Sequence, residues 1–81
     1  MNEYEKLKDA CQKFIEKKYS IEDLSRTLSW LGVPLQIQEK VTAAEQKLEE
    51  IRFLVSDNEQ YEMTLDVVRD ILSKVKELEN K

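Results

Sequence analysis

Residues 51 to 65 read I-R-F-L-V-S-D-N-E-Q-Y-E-M-T-L, and the break in their middle sets the architecture. Toward the N-terminus, Val55 ends a stripe that runs back through Ile51, Leu48, Ala44, Val41 and Ile37. Its steps alternate between three and four, the period of one helix face. Toward the C-terminus, Tyr61, Leu65, Val68, Leu72 and Val75 repeat that spacing. Leu78 continues this second stripe, while Val67 and Ile71 widen it. Between the stripes lie only the five residues S-D-N-E-Q, with S-D-N as the link. Ser56 and Glu59 form an S-x-x-E box, the signature of a capped helix start. Two helices of about 20 residues, roughly 30 Å each, joined by so short a link must lie antiparallel.

Upstream, L-G-V-P at 31 to 34 is the clearest stop in the chain. Gly32 suits the left-handed position after a helix, and Pro34 suits the first turn of the next one. Before this stop, Ile21, Leu24, Leu28 and Leu31 mark a short amphipathic helix. Ser20 and Asp23 can cap it, with Tyr19 and Leu24 as a hydrophobic staple. A first helix carries Tyr4, Leu7, Cys11, Phe14 and Ile15 on one side. Glu3 and Glu5 lie near its start and Lys13, Lys17 and Lys18 near its end, which complements the helix dipole. The expected fold is all-α. It is a small four-helix bundle, with two shorter helices packed on a long antiparallel helical hairpin. Residues 1–81 form a single helical domain.

The chain has 81 residues, of which 37% are charged and 41% hydrophobic, with one glycine and one proline. The periodic apolar content excludes a disordered chain. The formal charge of -4 disfavours nucleic acid and anionic membranes as partners and favours basic ones. There is no histidine, which removes the usual general base and His-based zinc sites. Cys11 is the only cysteine, so no intrachain disulfide can form. It reads as a small core side chain. No signal peptide or membrane span is legible, and a cytoplasmic, reducing location is expected. No enzyme activity, cofactor or metal is expected.

Four constellations could carry function. Residues 20 to 34 echo the first half of a helix-turn-helix, but the would-be recognition helix offers one Lys and two Glu, a poor set for phosphate contacts. Glu45, Glu49 and Glu50 could face Glu62 and Asp66 as a magnesium site. All-α nucleotide pyrophosphohydrolases use E-E-x-x-E and then E-x-x-D; here position 53 is Phe, and Glu62 to Asp66 is one residue too wide. Third, Asp57, Glu59, Glu62, Asp66 and Asp70 line the start and flank of the last helix. Asp57 and Glu59 serve the helix N-terminus, and Lys74 lies at i+4 from Asp70. Glu62 and Asp66 lack such a partner on their own helix, so this ladder is the candidate surface for a basic protein. Fourth, Trp30 and Phe53 lie off the main stripes. They are expected to widen the core; exposed, they would be interface anchors, and Trp30 joins the five acids as a candidate contact.

Two stretches together, F-I-E-K-K-Y-S-I-E-D-L-S-R-T-L-S-W-L (14 to 31) and L-E-E-I-R-F-L-V-S-D-N-E-Q-Y-E (48 to 62), resemble small all-helical immunity proteins of bacterial contact-dependent growth inhibition systems. The pattern is a short helix, a turn, a Ser-started helix with spaced leucines, a longer helix, and an acidic turn into the last one. Where the pattern has a glycine in its first turn, this chain has Lys17 and Lys18. The resemblance implies a cytoplasmic inhibitor that binds a cognate protein toxin domain, often a nuclease; the acidic surface independently favours a basic one. The alternative is a structural or regulatory helical-bundle module that self-associates as a homodimer.

Overall fold

The computed structural model describes residues 4–80, in which four helices follow one another: α1 (Glu5–Ile15), α2 (Ile21–Trp30), α3 (Leu35–Leu54) and α4 (Asp57–Glu79). Glu3 lies outside the described residues. Each helix packs on the next, and α1 closes the ring against α4. The result is an up-down-up-down bundle, 38 Å long. As expected, the long α3–α4 hairpin is covered by the two shorter helices.

The hairpin forms because both its helices bring an apolar stripe to one core. On α3, Ile37, Val41, Ala44, Leu48 and Ile51 are all buried. Leu7, Cys11 and Phe14 of α1, with Leu24 and Leu28 of α2, fill the same core. Burying each of the larger side chains is worth roughly 1.5–3 kcal/mol. On α4 the buried line is Thr64, Val68, Ile71 and Val75. Leu65 and Leu72, expected at its centre, are only half-buried on its flank. Tyr61 ties α4 to the end of α1. Its ring stacks on Phe14 with centroids 5.2 Å apart, and its hydroxyl donates to the Ile15 carbonyl at 3.1 Å.

The turns differ from expectation in three places. The Ser20–Asp23 capping box forms in full, with both reciprocal hydrogen bonds. The Ser56–Glu59 box does not: Ser56 makes no side-chain cap bond, and its hydroxyl points to the Glu59 carboxylate at 3.4 Å. Backbone N–H groups of Glu59 and Gln60 turn to the Ser56 carbonyl instead. Gly32 has no positive φ. α2 leaves through an extended Leu31 (ψ 124°) rather than a left-handed turn, so glycine's freedom goes unused there. The left-handed residue is Lys17, with φ 64°. The Lys18 N–H reaches the Lys13 carbonyl at 2.8 Å and the Lys17 N–H reaches that of Phe14 at 3.0 Å. This is a Schellman turn with lysine where glycine is usual.

Candidate protein-binding surfaces

Successive helical residues are about 100° apart, so positions four apart drift by about 40°. Glu62, Asp66 and Asp70 therefore walk around α4 rather than stand in a column. Asp66 and Asp70 reach the flank facing α3, where they border a groove of about 450 Å³. Its floor is Ala43, Ala44, Met63 and Val67, and its opposite rim is Lys40 and Lys47.

The partners of the ladder also differ from expectation. Asp70 pairs across the groove with Lys40 at 2.9 Å, and Lys74 turns to Glu77 at 3.7 Å. Asp66 lies 3.7 Å from Arg69, three residues on. Among the described residues Glu62 has no salt-bridge partner, and it is exposed. Glu59 is exposed beside Ser56. Asp57 sits apart, in a cleft with Phe14, Lys17, Tyr19 and Tyr61 at the α1–α2 turn. Trp30 lies in a furrow between α1 and α2 with Lys6, Asp9, Ala10 and Thr27. It is at the opposite end of the bundle from the α4 start. The six candidate contacts thus do not form one surface.

Trp30 and Phe53 do not widen the core. They are 71% and 77% exposed, because each lies on the last turn of its helix, where no neighbour extends to cover it. Leu54 (81%) and Leu35 (83%) are exposed as well. Their trace in the sequence is their register, since both fall off the Ile37-to-Val55 stripe. The tip of the α3–α4 hairpin thus presents Phe53 and Leu54 side by side. It is also the most acidic part of the chain. Between 45 and 66, seven carboxylates stand against Lys47 and Arg52, a formal charge of -5, so the rest of the chain sums to +1. The Arg52 guanidinium is engaged over the Phe53 ring, 5.6 Å from its centroid.

Among the described residues no group of three His, Cys, Asp or Glu is placed to hold a metal ion. Burial pushes the Cys11 thiol up to about 12, so it stays protonated and inert at neutral pH. Nor is any helix among the described residues long and apolar enough to cross a membrane.

These features define a small all-α bundle whose exposed apolar side chains sit at the helix ends and whose longest pair of helices carries a charged groove. No protein-family model matches the chain, and no curated protein or solved structure matches it either.

Proposed function

We propose that this chain is a non-enzymatic inhibitor that binds a basic protein, an immunity protein neutralising a cognate bacterial toxin in the cytoplasm. The observation that supports this reading is the coincidence, at one hairpin tip, of exposed Phe53 and Leu54 with a formal charge of -5 over residues 45 to 66. Large apolar side chains on an exposed tip supply anchoring energy in an interface, and aromatic ones are favoured there. The carboxylates around them accelerate encounter with a cationic cleft and disfavour acidic competitors. A nuclease cleft that holds phosphates has that character. The tip would occupy it and deny it to substrate, with no chemistry required of the inhibitor.

Co-expression with the product of the adjacent reading frame tests the proposal. The expected result is a stable complex and relief of that product's toxicity. Phe53→Ser with Leu54→Ser should weaken the complex by at least about tenfold. Glu59→Lys with Glu62→Lys should slow association, most visibly at low salt. A neighbouring product that is not toxic, or a complex indifferent to both variants, rejects the reading.

A further inference from the structure

The α3–α4 groove has a charge pattern that the hairpin tip lacks. One rim is cationic, with Lys40 and Lys47 on α3, and the other anionic, with Asp66 and Asp70 on α4. The floor between them is apolar: Met63 and Val67 are half-buried and Ala43 is exposed. A uniformly basic or acidic partner would meet repulsion along one rim. A surface with the same two rims in reversed positions would meet none, and a second copy of this chain supplies one.

We propose that this face pairs with the same face of a second copy, about a two-fold axis parallel to the helices. That operator lays the α3 of each protomer over the α4 of the other, lysines against aspartates twice. A two-fold axis across the helices would stack α3 on α3 and lysine on lysine, so the rim charges favour the first arrangement. Levels along the bundle agree. Lys40 stands opposite Asp70, as their 2.9 Å bridge shows, and Lys47 falls within about one turn of Asp66. The pairs of Lys40 with Asp70 (2.9 Å), Lys47 with Glu50 (3.8 Å) and Asp66 with Arg69 (3.7 Å) all lie at the surface and exchange at little cost. The face is long enough. Two helices of about 30 Å, each about 10 Å wide, offer roughly 600 Å² per protomer, at the lower bound of stable interfaces. The inference does not depend on any toxin partner, and the same operator sets the two hairpin tips side by side at one end of the dimer.

Charge swapping tests it in the intact chain. Sedimentation equilibrium should show the 9.6 kDa monomer doubling its mass as concentration rises. Lys40→Glu with Lys47→Glu should weaken self-association by at least about tenfold, and so should Asp66→Lys with Asp70→Lys. Mixing the two variants should restore a heterodimer, because each then offers the other its opposite rims. Unfolded chains cannot give that rescue. Met63→Arg, on the floor, should abolish the dimer without altering either rim. A wild-type monomer up to about 1 mM, or a dimer indifferent to the swaps, or no rescue on mixing, overturns the proposal.

Discussion

Thr64 is the one buried side chain among the described residues whose hydroxyl finds no hydrogen-bond partner. It is 0% exposed, in the first half of α4 at the head of its buried line. A mid-helix threonine ordinarily satisfies its hydroxyl on the carbonyl four residues back, as Thr27 does on Asp23 at 2.9 Å. Thr64 does not. A buried hydroxyl without a partner costs about 1–3 kcal/mol. Thr64→Val keeps the branched shape, replaces the hydroxyl with a methyl, and leaves helix propensity almost unchanged. The variant should therefore be more stable by about 1–2 kcal/mol. For a domain of this size each kcal/mol moves the melting midpoint by about 4–8 °C. Urea titration followed by far-UV circular dichroism reads the change as a higher midpoint at constant slope. Thr64→Ser is the control. It keeps the hydroxyl, removes the buried methyl, and should lose about 1 kcal/mol. If Thr64→Val is neutral or destabilising, the hydroxyl makes a compensating bond in solution and the reasoning fails.

The turns give two further pairs of contrasts. Lys17 holds φ 64° without glycine's freedom, so Lys17→Gly should stabilise the fold by about 0.5–1 kcal/mol, less whatever its contact over the Tyr61 ring (5.1 Å) contributes; thermal melting decides, and a loss refutes the strain. Gly32 has no positive φ and open space around an added Cβ, so Gly32→Ala should be neutral or stabilising by about 0.5 kcal/mol through the unfolded chain. Ser20→Ala should cost about 1 kcal/mol and Ser56→Ala much less, because only Ser20 makes a side-chain cap bond. The backbone N–H of Ser20, the largest cause, holds the Asp23 carboxyl below its ordinary value of 3.8. A lowered folded value means the stabilisation is present above pH 3.8 and is lost as pH falls through the lowered value; Asp23→Asn should remove that part of the acid sensitivity.

Helix count, order and much of the core were legible because they are local. Ile37, Val41, Ala44, Leu48 and Ile51 share one side of any helix drawn through them, and all five are buried. The Ser20–Asp23 box closes within four residues, so its chemistry is also complete in the sequence. The Schellman turn was not legible at Lys17, because its two hydrogen bonds, and not a glycine, hold the residue left-handed.

What the chain could not determine alone is which apolar residues find a neighbour. The apolar residues of α4 wrap well around the helix, from Leu72 to Val67. Only the placement of α1 and α3 centres the buried line on Thr64, Val68, Ile71 and Val75. Trp30 and Phe53 are as hydrophobic as core residues, yet they sit at helix ends where nothing packs over them. The acidic ladder, read on one helix, leaves Glu62 and Asp66 without a partner and gives Asp70 only Lys74. In the bundle Asp70 is neutralised by Lys40, thirty positions away in sequence, and the two aspartates become one rim of a groove whose other rim is lysine. Periodicity is a property of a single helix and is written in the sequence. Exposure and charge pairing belong to pairs of helices, and only their packing decides them.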